Sequence, residues 1–367
     1  MNLNDLRKEI DNVDEEITKL FVKRMDLAKG VAEYKKQHNL PVMQGNREQE
    51  VLDKVAQASG EELADGVRAL FMNIMDISKC LQQREIVSDI PKYDVFSPNG
   101  SEKIACQGLS GSNSERAARK VFQNNEIIFY KEFEDVFDSV DKGECKYGFL
   151  AIDNTITGSI GLTYELLNSR DCKVVAMSEI KIEHRLCAKE KCEIKSLKAV
   201  YSHPQALSQC TDFLKNNGLK CMEWGNTATS AEYVANSSDN IACICSLEAQ
   251  EKYGLICLDE NIANFSCNHT RFVCISKELQ VSKTANTVSI VIVLPHKPGS
   301  LYRLMTKLFT NNVNITKLES RPLADGSFNF KFYIDFEGNI NNHYTIALLN
   351  EIENHAEYYK FLGCFAG

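Results

Sequence analysis

Between Leu3 and about His38 the apolar residues Leu6, Ile10, Val13, Ile17, Leu20, Val22, Leu27 and Val31 recur mostly at threes and fours, without proline. That period predicts one long amphipathic helix, which Pro41 would end. Such a helix runs about 54 Å at about 1.5 Å per residue, more than the width of a small domain. Its apolar stripe is therefore expected to lie against a partner chain. Asn46 reads as the N-cap of a short helix through Ala58, and Leu63 to Ile86 reads as a third helix after the Ser59-Gly60 break. The first 90 residues are predicted all-helical.

Residues 88–102 hold two prolines and a glycine in a polar setting and read as a linker. Beyond them the pattern changes. Short apolar runs (KIACQG, YGFLAID, KVVAMS, LKAVYS, NIACICS, FVCIS) alternate with helical stretches such as SERAARKVF and PQALSQCTDFLKNN, an α/β rhythm. The polar segment Lys277–Asn286 precedes a block reading strand, helix, strand, hairpin, strand, helix, strand, a βαββαβ pattern. In it Phe328, Phe330, Phe332, Ile334 and Phe336 alternate as one buried face, and Asp325-Gly326 supplies the hairpin turn. The chain is thus read as multidomain, with an all-α segment at 1–90, an α/β segment at 103–277 and an α+β segment at 287–367.

Composition sharpens this picture. With 367 residues, 44% of them apolar and 25% charged, the chain is globular and too long for one core. A net charge of −8 and the lack of a basic run speak against nucleic acid, so an anionic ligand must meet a local cluster of Arg or Lys. The charged start without an apolar run, and the absence of an 18-residue apolar stretch, predict a cytoplasmic protein with no membrane partner. The fourteen scattered cysteines are expected to be free thiols, and their spacing suggests no metal site.

Candidate chemistry begins on the long helix. Arg24 and Lys35 stand about three turns apart and return to within about 20° of one face, so both can serve one pocket. Arg7 is rotated by about 100° and separated by about 25 Å from Arg24, so it can reach such a pocket only in a partner chain. On the third helix Ser78 and Gln82 are i,i+4 neighbours, and Arg47 and Glu48 open the second helix. Taken in order, LRKEID, KRMDLAKGVAEYK, the NREQE run and the Ser78/Gln82 pair resemble the all-helical chorismate mutase family over residues 1–86. The resemblance implies that Arg24 and the partner's Arg7 bind the two substrate carboxylates, assisted by Ser78. It further implies that Lys35 and Gln82 hold the breaking ether oxygen, and that Glu48, with Arg47 nearby, holds the ring hydroxyl. Gln44 stands where the family often has an acidic residue, which places more of that recognition on Glu48.

In the α/β segment Ser202-His203-Pro204-Gln205 falls between a strand and a helix, and Thr270-Arg271-Phe272 opens the run FVCIS. Strand-edge loops and helix N-termini of this kind collect anionic ligands. Together with GLSGS at 108–112, Asp153-Asn154-Thr155, Gly158, His184, Asn226-Thr227, Ser246 and Tyr253-Gly254-Leu255, these motifs resemble prephenate dehydratase across residues 103–277. The resemblance implies two α/β lobes around a cleft, similar to periplasmic binding proteins, with the chain crossing near residues 180 and 256. Thr270 would be the acid or proton relay at the leaving hydroxyl, depending on Ser202, Asn154 and Gln205, and Arg271 would pair with a carboxylate. Asp153, Thr155, Thr227 and Phe272 complete the implied prephenate site. GLSGS and AIDNT depart from the family's usual loops, but the backbone-donating glycines of the first remain.

In the last block Gly299-Ser300-Leu301 at a strand-to-helix turn and Glu319-Ser320-Arg321-Pro322 at a strand end resemble the phenylalanine-binding ACT domain. That implies L-phenylalanine as effector, bound between paired domains of a homodimer or higher homo-oligomer. The expected function is thus conversion of chorismate to prephenate and of prephenate to phenylpyruvate, without a cofactor. Two alternatives are a mutase joined to a receptor-like sensor and a scaffolding chain. The first leaves the positioned hydroxyl of Thr270 without a use, the second Lys35 and Gln82.

Overall fold

The computed structural model describes residues 2–38, 40, 45–87, 90–323 and 329–367, with the backbone alone at residues 45 and 46. Pro41, Gln44, Asp325-Gly326, Phe328 and the Asn46 side chain lie outside the described residues. The chain groups into two compact units, residues 1–92 with 286–361 and residues 93–285 with 362–367.

In the first unit the long helix spans Leu3–Gln37. Asn2 and Asp5 form a reciprocal cap at its start, satisfying backbone N–H groups the helix leaves open. Only its C-terminal half buries residues, namely Met25, Ala28, Ala32 and Lys35. Further up, Leu3, Leu6, Ile10, Val13, Ile17 and Leu20 are each at least 44% exposed. Helices Gly45–Ser59 and Ala64–Ile86 follow, so Asn46 stands inside the second helix rather than capping it. Both the first and second helices pack on Ala64–Ile86, which also carries helices Ser300–Thr310 and His343–Glu353.

Those two helices belong to the last block, which runs Thr287–Val293, Ser300–Thr310, Ile315–Pro322, Phe330–Glu337, His343–Glu353 and Tyr358–Phe365 in the order βαββαβ. Strand Phe330–Glu337 lies antiparallel between Thr287–Val293 and Ile315–Pro322, with Ile334 opposite both Ile290 and Leu318. Ile334 and Phe336 are buried as the alternation predicts, but Phe330 is 46% exposed, at the strand end opposite Pro322.

The second unit has two lobes. One sheet runs Glu126–Tyr130, Lys103–Gln107, Tyr147–Asn154, His269–Ser276, Lys173–Lys181. Gly148 is required there, since a Cβ would meet Ile275 and Val136 at 2.8 Å. The other sheet runs Ile256–Asp259, Arg185–Ala188, Ala242–Cys245, Val200–Ser202, Cys221–Glu223. The return crossing therefore lies at 260–268 rather than near 256, because Ile256–Asp259 still pairs with Arg185–Ala188. Strand His269–Ser276 then re-enters the first sheet antiparallel to both neighbours, which sets Thr270 at the junction of the lobes.

Two further expectations differ from the structure. The presumed linker contains a strand, Asp94–Val95, paired in parallel with Gln280–Val281 from the second polar stretch. Phe96 anchors it by packing edge-on against Phe122 and Tyr147. The predicted helix at 204–217 is two, Pro204–Gln209 and Thr211–Asn216, broken at Cys210. None of the fourteen cysteines is joined in a disulfide.

Candidate functional sites

The first unit holds a cavity of about 500 Å³ lined by Arg24, Lys35, Arg47, Glu48, Ser78, Lys79 and Gln82 over an apolar floor that includes Ala28, Val31 and Met75. Arg24 and Lys35 meet there because the three-turn spacing holds, and Ser78 and Gln82 face them from the third helix. Lys35 Nζ donates to Gln82 Oε1 at 3.3 Å, and Gln82 Nε2 donates to Ser78 Oγ at 3.1 Å. Arg24 Nη1 is buried with no protein partner, and its burial lowers the guanidinium pKa. Burial also lowers the Lys35 pKa, with Glu48 opposing the shift and Lys79 adding to it. Four cations against one carboxylate make the lining strongly positive, the setting a dianion requires in a chain of net negative charge. Arg47 instead pairs at the surface with Glu50 at 3.0 Å. Arg7 is exposed on the long helix and does not line the cavity.

Lys79 was not singled out from sequence. It is buried, donates to Glu48 Oε2 at 2.9 Å and pairs with Asp76 at 3.1 Å. The signal was present, an Asp/Lys pair at i,i+3 inside the otherwise uncharged run NIMDISKC.

The second unit holds a cavity of about 280 Å³ between its lobes, lined by Asn154, Gln205, Thr227, Thr270 and Phe272 together with Gln107, Asn113, Thr157, His203, Gln209, Asn226 and Asn268. Ser112 and Asn226 cap helices Asn113–Val121 and Thr227–Asn236 at its edge, so two helix N-termini face it. Gln205 Nε2 donates to Thr157 Oγ1 at 3.3 Å, from one lobe to the other.

Behind Thr270 runs a buried chain of directed hydrogen bonds. Asn154 Oδ1 accepts from the backbone N–H of Ile156 and Thr157, each at 2.9 Å, which fixes the orientation of the amide. Its Nδ2 therefore donates to Thr270 Oγ1 at 2.9 Å and Asn268 Oδ1 at 2.7 Å. Asn268 donates in turn to Gln209 Oε1 at 3.0 Å, which also takes a bond from His184 Nε2 at 2.7 Å. Burial lowers the His184 pKa, with Gln209 opposing. Gln209 and Asn268 were not foreseen, because each is an ordinary amide until the lobes meet.

Four expected members of this site lie elsewhere. Ser202 is buried and donates to Ile244 O at 2.8 Å, Thr155 donates to Cys267 O at 2.8 Å, and Asp153 accepts from Tyr164 at 3.0 Å, so all three brace the walls. Arg271 occupies the other face of its strand from Thr270 and Phe272 and pairs with Glu179 at 3.0 Å. Strand alternation excludes it from the cavity that its two neighbours line.

In the last block Gly299 has φ 83°, a left-handed turn that opens helix Ser300–Thr310. Ser300 and Leu301 line a small cavity of about 150 Å³ with His296, Asn329 and Phe332. Glu319, Ser320, Arg321 and Pro322 stand on strand Ile315–Pro322, where Arg321 and Glu319 pair at 2.8 Å.

Residues 6–83 match the chorismate mutase type II model, and residues 104–280 match the prephenate dehydratase model. A bifunctional chorismate mutase/prephenate dehydratase of Aquifex aeolicus is 30% identical over 99% of this chain and 97% of its own length. The chain belongs to this bifunctional chorismate mutase/prephenate dehydratase family. It catalyses both reactions, the mutase in the first unit and the dehydratase in the second. A prephenate dehydratase from Arthrobacter aurescens, solved in complex with L-Phe, has the same fold, with a TM-score of 0.65, 23% identity, and coverage of 72% of this chain and 90% of that one. A chain titled a novel type of quorum quenching acylase fits as well, with a TM-score of 0.64, 25% identity, and coverage of 72% and 97%. The dehydratase fold thus also carries other chemistry, and the mutase/dehydratase assignment rests on the full-length relative.

For the mutase, the chemistry asks only for a held conformer and for donors where negative charge develops, and the Lys35 ammonium and the Gln82 amide are donors on the wall of this cavity. The dehydratase expels carbon dioxide and hydroxide, and hydroxide leaves only with a proton. The Asn154 bond to Oγ1 leaves the Thr270 proton free to point into the cavity. No helix among the described residues is long and apolar enough to cross a membrane, and none of their side-chain groups is arranged to hold a metal ion.

Proposed function

We propose that chorismate lies in the first cavity with one carboxylate on Arg24, assisted by Ser78, and the other on the partner's Arg7. Lys35 and Gln82 then stabilise the ether oxygen as it breaks, and Glu48, flanked by Arg47, holds the ring hydroxyl. The observation that carries this reading is the convergence of Arg24, Lys35, Glu48, Ser78 and Gln82 on one cation-rich cavity. The bare apolar face between Leu3 and Leu20 supports a homodimer in which each long helix lends Arg7 to the other chain.

Prephenate is proposed to bind between the lobes, its carboxylates near the helix N-termini at Asn113 and Thr227, with Gln205 and Phe272 against the ring. As the carbon–carbon bond to the carboxylate breaks, its electron pair moves through the ring and expels the hydroxyl. Thr270 gives that oxygen its proton and takes one back from water, acting as a relay, and the products are phenylpyruvate with its aromatic ring, carbon dioxide and water. Asn154 positions the threonine, and Asp153, Thr155 and Ser202 brace the walls. Direct pairing of Arg271 with substrate gives way to its pairing with Glu179.

The βαββαβ block is proposed to be an ACT domain that binds L-phenylalanine at Gly299, Ser300 and Leu301 together with Glu319, Ser320, Arg321 and Pro322. Strands at its edge would pair between chains, and the L-Phe bound to the Arthrobacter aurescens dehydratase supports this effector. The experiment is to supply chorismate to the purified protein and follow prephenate and phenylpyruvate with and without L-phenylalanine. Unchanged rates across a wide phenylalanine range would remove the regulatory reading and leave the two reactions standing.

A further inference from the structure

An unbroken chain of charge runs from the last block into the mutase cavity. Arg303, on helix Ser300–Thr310, grips Asp76 with two bonds, Nε to Oδ2 at 2.8 Å and Nη2 to Oδ1 at 2.6 Å. Asp76 Oδ1 sits 3.1 Å from Lys79 Nζ, which donates to Glu48 Oε2 at 2.9 Å. Asp76 is 1% exposed and the Lys79 side chain 5%. Lys307 and Glu351, from the two helices of the last block, pair at 2.6 Å, and His355, just past the second helix, closes the cluster.

Glu48 has three cations within its field, Lys79 at 2.9 Å, the cavity lysine Lys35 and, at 4.0 Å, Arg303 itself. If Lys79 were drawn away, Glu48 would lose the bond that fixes it and with it its hold on the ring hydroxyl. Asp76 shares Lys79 with Glu48 and is itself held by Arg303, with Lys307 farther off at 3.9 Å, so a buried carboxylate that lost its bidentate partner would draw more heavily on Lys79, the nearer of the two lysines. We propose that Lys79 is a positioning residue of the mutase and that Arg303, from the C-terminal block, sets it through Asp76, so that the mutase site is complete only with that block in place. The inference rests on the reading that Glu48 holds the substrate hydroxyl.

The test is a double-mutant cycle in the full-length protein. A hydrogen bond to the ring hydroxyl is present in bound substrate and transition state alike, so its loss appears in KM. Arg303→Met is expected to raise the chorismate KM by about tenfold, the size of one charge-assisted hydrogen bond, with kcat within about twofold. Dehydratase turnover of supplied prephenate should be unchanged, and Glu48→Gln/Arg303→Met should be no worse than Glu48→Gln alone. Losses that multiply, or an unchanged KM in Arg303→Met, would overturn the inference while a defective Glu48→Gln still upholds the mutase reading. A normal Glu48→Gln enzyme would sink that reading, and the inference with it. Should Arg303→Met lose dehydratase turnover as well, Arg303→Lys decides. It keeps the charge but not the two parallel bonds, so an intermediate KM supports the proposal and a wild-type KM refutes it.

Discussion

Asn154 and Thr270 stand opposite each other on paired strands, and the asparagine donates to the threonine hydroxyl at 2.9 Å. Because two backbone N–H groups hold the Asn154 oxygen, the bond cannot reverse, and the threonine proton is turned toward the ligand space.

Reversing that bond should therefore stop the dehydratase. In Asn154→Asp a carboxylate would accept the Thr270 proton instead of donating, pointing it away from the leaving hydroxyl. A fall of about a hundredfold or more in prephenate turnover is expected, the low end of what a positioned proton donor contributes. Thr270→Ser should keep most activity and Thr270→Val almost none, with mutase rates normal in all three. Full activity in Asn154→Asp would dismiss Thr270 as the donor.

The mutase should lose rate as the solution turns alkaline, and earlier than an ordinary lysine implies. Burial lowers the Lys35 pKa, so the charged form disappears as pH rises through a value below 10.5. Glu48 works against that shift, so Glu48→Gln should move the alkaline limb lower still. Lys35→Ala should abolish mutase turnover and spare the dehydratase. An alkaline limb unmoved by Glu48→Gln would show that Lys35 does not set it.

His355 makes the first unit sensitive to acid. Burial and then the neighbouring Lys307 and Lys79 charges push its pKa down to about 3. The unfolded chain takes up a proton near pH 6.5 that the folded chain refuses, so this contribution to stability is present above that pH and lost below it. Unfolding titrations between pH 6.5 and about 3 should show up to about 1.4 kcal/mol lost per pH unit from this group. His355→Gln should flatten that slope, and an unaltered slope would assign it to other groups.

Sharing of Arg7 between chains can be read from mixed dimers. Arg7→Ala and Arg24→Ala should each be inactive as mutases. After unfolding and refolding together, about a quarter of the sites would be rebuilt, since half the dimers are mixed and each holds one intact site. No recovery would place Arg7 in its own chain's site or outside it.

Much of this was legible in the sequence because it depends on local spacing. The long helix, expected to about His38, ends at Gln37, and the third helix begins at Ala64 where Leu63 was expected. Helical periodicity puts Arg24 with Lys35 on one face and Ser78 with Gln82 on another, and the packing of the first helix on the third makes the two faces line one cavity. The same periodicity showed an apolar stripe too long for one small domain, and its N-terminal half is bare.

What the tertiary structure decided involves partners far apart in the chain. Arg271 follows Thr270 directly, yet strand alternation sends it to Glu179 on the other face. Gln209 and Asn268 become part of the dehydratase site only because the chain leaves one lobe and returns. Arg303 and Asp76 pair across the whole middle of the sequence. Burial turns such ordinary amides and charges into a specific site, since a polar group shut away from water must find its partner within the fold, and no local pattern says which partner that is.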